Sequence, residues 1–98
     1  MAAKLLPPIH PGEILRDEFM VPMQLSSHAV ARAIGVTPAR VNDIVNEKRG
    51  ITADTALRLG RYFGTTADVW INLQKRFELE TARRELGDAL VHIRPRAA

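Results

Sequence analysis

The stretch Ser26–Asn46 constrains the fold of this chain more than any other part of it, because it combines two helix starts with one sharp turn. Ser26 is a good N-cap residue, since its side-chain oxygen can accept a hydrogen bond from a free backbone N–H. Gly35 permits the left-handed backbone that often ends a helix. Thr37 and Pro38 then supply a second cap with proline at the first helical position. The stretch therefore predicts two short helices with a tight turn between them.

Apolar residues in this stretch predict how the two helices pack. Each helix carries three of them at the spacing of one helical face, Val30, Ala31 and Ile34 in the first and Val41, Ile44 and Val45 in the second. Ala31 must be small because the second helix crosses close above it. This combination is the helix-turn-helix pattern, in which the second helix lies in the major groove of DNA with its N-terminal residues against base edges. The alternative interpretation is an ordinary helical hairpin inside a bundle.

The outward face of the second helix and its flanks supply the candidate DNA-binding residues. Arg40 lies in the first turn, where an arginine can donate two parallel hydrogen bonds to a guanine edge. Its alternatives are a phosphate contact and a salt bridge to Asp43, and Asn42 or Asp43 can instead read adenine or cytosine. Residues that flank the helix are expected to bind phosphates, which position a protein without reading sequence: Thr37, Asn46, Lys48 and Arg49. The full predicted set is Ser27, His28, Thr37, Pro38, Ala39, Arg40, Asn42, Asp43, Asn46, Lys48 and Arg49.

Length and composition exclude several classes of protein. Ninety-eight residues predict one domain that folds without staples, and the absence of cysteine excludes disulfides and thiolate metal sites. No apolar stretch approaches the roughly 20 residues of a membrane span, and no leader segment is evident, so a cytoplasmic protein without membrane contact is expected. The net charge of +3 is compatible with a polyanionic partner but does not require one.

Catalytic and metal-binding patterns are absent from the sequence. It contains no cysteine nucleophile, no glycine-rich phosphate loop and no histidine at a recognisable spacing from serine and carboxylate partners. His10 and Glu13 lack further metal ligands, so helix capping and packing explain them better. His28 and His92 are expected to be exposed or structural. We therefore expect no enzyme, no cofactor and no metal.

The remaining sequence predicts an all-α fold of five helices with a long C-terminal helix. Residues 1–9, with Pro7 and Pro8, are expected to form an extended arm, residues 10–86 the helical domain, and residues 87–98 a tail. The first helix opens near His10 and buries Ile14, Leu15 and Phe19. The fourth helix runs from Ala53 to about Phe63 and buries one face, which consists of Ala56, Leu59, Gly60 and Phe63 and is widened by Leu57.

The fifth helix, which runs to about Glu85, carries two apolar stripes. One stripe is expected to pack on the other four helices: Trp70, Leu73 and Phe77. The other has no obvious partner within so small a domain, which predicts a two-fold dimer interface at Ile71, Leu79, Ala82 and Leu86. Alternatively, the tail folds back over this stripe through Val91 and Ile93. The charged residues of the helix alternate in sign and predict ion pairs such as Glu80 with Arg84.

Four segments together resemble the HigA/VapI-type antitoxins of the Cro/C1 helix-turn-helix class: P-P-I-H-P-G-E-I-L, S-S-H-A-V-A-R-A-I-G-V-T-P-A-R-V-N-D-I-V, K-R-G-I-T-A-D-T-A-L-R-L-G-R-Y-F-G-T and W-I-N-L-Q. The resemblance implies an all-helical homodimer of bacterial origin. This homodimer is expected to bind operator DNA and to repress its own operon. The resemblance also implies a toxin partner, a small HigB-like RNase that cleaves messenger RNA. Related phage repressors often have glutamine where this chain has Ser27, Pro38 and Ala39, so base contacts do not transfer from them.

Two questions remain open at the level of sequence. An RNase that handles a polyanion should present a basic surface, which makes the acidic side chains of the first helix a candidate toxin-binding site: Glu13, Asp17 and Glu18. Complementarity to the helix dipole explains the same residues. The alternative to an antitoxin is a stand-alone Cro/C1-type transcriptional regulator without a toxin, or an interaction module that has lost DNA binding. Exposed Arg40, Asn42, Lys48 and Arg49 argue against the last.

Overall fold

The computed structural model describes residues 6–97 and shows the expected all-helical architecture of five helices with a long C-terminal helix. Helix α1 begins as an α-helical turn, Pro11–Ile14, and continues as a π-helical segment, Leu15–Met20. The others are α2 (Ser27–Ile34), α3 (Pro38–Val45), α4 (Ala53–Phe63) and α5 (Ala67–Leu86), and a 3₁₀ turn follows at Gly87–Leu90. The start of the predicted arm, residues 1–5, and Ala98 lie outside the described residues.

The helix ends follow the predicted capping chemistry. The hydroxyl of Ser26 accepts a hydrogen bond from the Ala29 N–H at 3.1 Å, and the hydroxyl of Thr37 accepts one from the Arg40 N–H at 3.2 Å. Gly35 ends α2 with a φ of 76°, which a residue with a Cβ adopts only at a cost. Local sequence therefore defines both ends of the turn between α2 and α3.

All five helices contribute side chains to one core, which includes the fully buried side chain of Trp70. Its indole Nε1 donates to the hydroxyl of Thr65 at 2.9 Å, so the one polar atom of the ring is satisfied. Phe19 packs against Trp70 with ring centroids 5.2 Å apart. The fully or nearly fully buried residues include the predicted faces of the helix pair: Leu15, Val30, Ala31, Ile34, Val41, Ile44, Val45, Ala56 and Leu59.

The first helix differs from a regular α-helix because its second half is π-helical. The Val21 N–H donates to the Arg16 carbonyl at 2.9 Å, an i to i−5 bond. In an α-helix, residues five apart lie about 140° apart around the axis. The wider π turn brings Leu15 and Met20 closer to a common face, and both are buried.

Two expectations and one alternative from the sequence are wrong. Leu57 does not widen the buried face of α4, since it is 64% exposed. The tail does not fold back over α5, since Val91 and Ile93 are 78% and 68% exposed. Glu80 pairs with Arg83 at 3.2 Å, while Arg84 donates to the carbonyl of Leu6 instead. Within residues 6–97, no helix is long and apolar enough to cross a membrane.

Candidate nucleic-acid interface

One face of helix α3 packs against the core, and the opposite face is open to solvent. Val41, Ile44 and Val45 are buried against the core, and fully buried Ala31 lies in α2, the helix that packs against α3. The guanidinium Nη1 of Arg16 donates to the Val45 carbonyl at 2.9 Å and so satisfies one of the free carbonyls at the end of α3. The orientation of α3 is therefore fixed by α1, α2 and the core.

The predicted DNA-binding residues lie on the open side of this helix and beside it. Most of them are exposed, namely His28, Thr37, Ala39, Asn42, Asn46, Lys48 and Arg49. The others are partly buried, namely Ser27, Pro38, Arg40 and Asp43. Three of the predicted residues, Thr37, Arg40 and Arg49, line one groove of about 430 Å³, of which Ser27 and His28 are not part.

Ion pairs arrange the charged side chains of this groove. Arg40 Nη1 lies 3.6 Å from Oδ1 of Asp54, and Arg49 Nη2 lies 3.7 Å from Oδ2 of Asp43. The salt bridge considered between Arg40 and Asp43 is therefore not formed, because each pairs with a residue from a later part of the chain. Arg40 faces α4 and not its own helix.

Two residues of α4 that the sequence did not single out belong to the same groove. Arg58 Nε donates to Asp54 Oδ1 at 2.8 Å, and Arg58 Nη1 donates to the carbonyl of Ile34 at 2.8 Å and to that of Gly35 at 3.4 Å. Arg58 thus ties the end of α2 to α4. The only local signal is the i, i+4 spacing of Asp54 and Arg58, which is typical of an ion pair on a helix.

The basic loop after α3 has a defined backbone. Glu47 adopts a φ of 62°, and the Lys48 N–H donates to the Asp43 carbonyl at 2.8 Å. The loop is fixed to α5 by buried Gln74, whose Oε1 accepts from the Ile51 N–H at 2.7 Å. Lys48 and Arg49 are therefore presented by an anchored turn.

The predicted dimer surface on α5 is open apart from one residue. Leu79 and Leu86 are 55% and 48% exposed, and Ala82 is exposed. Ile71 is half-buried and packs against the core, so only part of its surface is open to a partner. Exposed Leu90, Val91 and Ile93 extend this apolar surface along the chain.

The acidic surface of α1 is less uniform than the sequence suggests. Asp17 is paired with Arg16 at 2.9 Å, Glu18 is exposed and Glu13 is partly buried. The π-helical segment begins at Leu15, so the α-helical register that aligned Glu13 with Asp17 is not maintained. No group of three or more acidic, histidine or cysteine side chains within residues 6–97 is placed to hold a metal ion.

His10 begins α1 as a cap and not as a metal ligand. Its Nδ1 accepts from the Gly12 N–H at 2.9 Å, and its ring contacts Phe77 edge to face with centroids 4.8 Å apart. Burial lowers the pKa of His10 below its ordinary value, although the nearby charge of Glu47 opposes the shift. The neutral ring is the form that can accept this hydrogen bond.

Comparisons with known proteins identify the same helix-turn-helix unit that the structure shows at α2 and α3. A family model described as helix-turn-helix matches residues 18–70, more than half of the chain. Virulence-associated protein I from Dichelobacter nodosus is 58% identical over 80 residues, which is 82% of this chain and 74% of that protein. Antitoxin HigA-1 from Vibrio cholerae is 32% identical over 88 residues, 90% of this chain and 83% of that one.

A solved structure described as Pseudomonas aeruginosa antitoxin HigA with the higBA promoter superposes with a TM-score of 0.88. It is 53% identical and covers 92% of this chain and 99% of that chain. These relatives confirm the resemblance in the sequence and place the chain among proteins that are not enzymes. The chain belongs to the Cro/C1-type helix-turn-helix family and, within it, to the HigA and VapI group of antitoxins.

Proposed function

We propose that this chain is an antitoxin that binds operator DNA as a two-fold homodimer, represses its own operon and neutralises a small RNase toxin by direct binding. The observation that carries the DNA-binding part is the groove at the start of α3, where Thr37 and Arg40 are brought together with Arg49 of the following loop. The HigA relative from Pseudomonas, whose structure contains promoter DNA, supports the same assignment by similarity.

The residues of this interface divide into two groups by role. Arg40 lies in the first turn of α3 and is the base-reading residue, since its guanidinium can donate to both acceptors of a guanine. Asn42 and Asp43 follow on the same helix as secondary readers. The remaining predicted residues bind phosphates or pack against the sugar-phosphate backbone of the DNA: Ser27, His28, Thr37, Pro38, Ala39, Asn46, Lys48 and Arg49. The hydroxyl of Thr37 accepts from the Arg40 N–H, which leaves its proton free for a phosphate oxygen.

Dimerisation through α5 would give the repressor its two DNA-binding heads. Leu79, Ala82 and Leu86 form an exposed apolar stripe along the C-terminal half of α5, with the open edge of Ile71 about two turns before it. Two linked heads read two half-sites about one helical turn of DNA apart, which multiplies the affinity of one head. The same residues would otherwise leave apolar surface in water.

Toxin binding is the second activity, and α1 is its proposed surface. Glu18 is exposed, Glu13 is partly buried, and Asp17 keeps half of its side chain exposed although it is paired with Arg16. A basic RNase would be attracted to these carboxylates. If Glu13→Lys combined with Asp17→Lys leaves neutralisation and its salt dependence unchanged, α1 is not the docking surface.

Purification of the chain together with the product of the adjacent gene tests the whole proposal. We expect the two proteins to elute as one complex, the neighbour alone to cleave messenger RNA, and the complex or the antitoxin alone to retard DNA from upstream of the operon. A chain that retards this DNA but has no co-purifying neighbour would instead be a stand-alone regulator.

A further inference from the structure

Asp54 lies between two arginines that come from different parts of the fold. Its Oδ1 accepts from Arg58 Nε at 2.8 Å and lies 3.6 Å from Arg40 Nη1. Arg58 is itself anchored, because its Nη1 donates to the Ile34 carbonyl at 2.8 Å. The C-terminal end of α2 therefore anchors Arg58, Arg58 holds Asp54 by a hydrogen bond, and Asp54 lies at ion-pair distance from the guanidinium of Arg40.

Folding stability does not explain the approach of Asp54 to Arg40. The side chains of Arg40 and Asp54 are 35% and 60% exposed, and water weakens ion pairs at such positions. Thr52 already caps α4 through the Thr55 N–H. A negative charge near the start of a helix complements the helix dipole, and Asp54 has this effect on α4. Asp68 has the same effect on α5, because it follows the cap in the same Thr-Ala-Asp sequence, yet Asp68 forms no salt bridge within residues 6–97. The helix dipole therefore does not require the ion pair of Asp54 with Arg40.

Attraction to DNA does not explain it either. The groove contains Arg40, Arg49 and Arg58, and a carboxylate at residue 54 lowers its positive charge. Non-specific affinity for DNA rises with the number of cations that face the phosphates. By charge alone, this groove would bind any DNA more tightly without Asp54.

We propose that Asp54 is a positioning residue for base recognition, which holds the guanidinium of Arg40 in the orientation that reads a guanine. This inference rests on the proposed function, in which Arg40 is the reader. Nη1 of the guanidinium lies 3.6 Å from Asp54 Oδ1, and its other N–H donors remain available to the base. An arginine that is oriented before binding loses less side-chain freedom when it binds.

Charge and positioning predict opposite effects of one substitution, Asp54→Asn. Removing the negative charge should raise the affinity for random DNA. Releasing Arg40 should lower the affinity for the operator. The ratio of operator to random-DNA affinity should therefore fall by about tenfold, a coupling of ordinary size for directly contacting residues. The salt slope for random DNA should stay the same or become steeper, since no phosphate contact is lost.

The experiment measures both affinities across salt by fluorescence anisotropy, with the operator defined as the site selected from a randomised duplex library. It uses the full chain, Asp54→Asn, and the matched control Asp68→Asn, which makes the same charge change at the equivalent position of α5. A third variant combines Arg40→Ala with Asp54→Asn. The melting temperature of each variant shows that it is folded.

A fall in the ratio for Asp54→Asn, no fall for Asp68→Asn, and no further fall when Asp54→Asn is added to Arg40→Ala would support the proposal. Equal strengthening on both DNAs, with the ratio unchanged, would show that Asp54 is only a repulsive charge and would overturn it. If the library yields no preferred site for the full chain, the proposed DNA-binding function itself fails, which is a different result from an unchanged ratio.

Discussion

Gly12 packs against the backbone of Ile44 so closely that a Cβ atom at residue 12 would lie 1.8 Å from the Ile44 carbonyl oxygen. This contact joins the first turn of α1 to the last turn of α3, the helix proposed to enter the major groove. A side chain at residue 12 can be accommodated only if one helix moves, because the neighbouring atoms belong to backbone. The place of α3 in the fold thus depends on a glycine far from it in sequence.

Gly12→Ala should destabilise the fold and displace α3. We expect a loss of about 3 kcal/mol in the free energy of unfolding, the upper end of the usual cost of overpacking, together with weaker operator binding. The matched control is Gly64→Ala, where the added Cβ meets no atom within 4 Å and only the φ of 75° opposes it. That strain costs about 1 to 2 kcal/mol. Urea unfolding of both variants checks the order, and an equal loss for the two would contradict the close contact.

Gln74→Met should loosen the loop that presents Lys48 and Arg49. The variant keeps the length of the side chain but removes the acceptor of the Ile51 N–H, which leaves a buried donor unpaired at a cost of about 1 to 3 kcal/mol. Lys75→Met, at the next and exposed position, is the control and should have little effect. Amide hydrogen exchange provides the direct measurement, since Ile51 should lose protection in Gln74→Met alone. Unchanged protection would show that this bond does not hold the loop.

Much of this fold is predictable from sequence because its signals are local. Ser26, Gly35 and Thr37 define the ends of α2 and α3 through contacts with residues at most four positions away, and the apolar spacing identifies Val41 and Ile44 as buried. Each of these capping contacts joins residues within about one helical turn, so sequence spacing alone can predict it.

The remainder depends on contacts between residues far apart in sequence, which spacing cannot reveal. The link from Gln74 to Ile51 spans 23 positions and that from Arg58 to Ile34 spans 24. Asp54 lies in the first turn of α4, and only the approach of α3 makes it a partner of Arg40. Leu57 was assigned to the core by its hydropathy, but no element of residues 6–97 covers it.

The fold should lose stability on acidification through His10. Because burial lowers its pKa in the folded state, the unfolded chain binds the proton more readily as the pH falls below about 6.5. Stability contributed by neutral His10 is therefore complete above this pH and declines below it until the folded-state pKa is passed. His10→Asn keeps a capping oxygen but cannot titrate, so its stability should vary less with pH. Thermal melts between pH 7.5 and 5 compare the two proteins.

The α5 surface should control the oligomeric state. Leu79→Glu or Ala82→Glu places a charge in the proposed apolar interface, so we expect a folded monomer with weaker operator affinity. Leu57→Glu introduces the same charge at an exposed apolar residue of α4 and should remain a dimer. Light scattering distinguishes the two states. If both α5 variants remain dimeric, the dimer interface does not lie on this surface of α5.

The proposed division of roles is that Arg40 reads a base while Lys48 and Arg49 hold phosphates. Its most direct test compares Arg40→Ala with Lys48→Ala and Arg49→Ala on operator and random DNA over a range of salt concentrations. We predict that Arg40→Ala costs about 1 to 3 kcal/mol on the operator and relaxes the preference at one base pair per half-site. The two loop variants should weaken both DNAs alike and reduce the salt slope by about one per contact. If Arg40→Ala weakens operator and random DNA equally, Arg40 is a phosphate contact and the account of recognition is wrong.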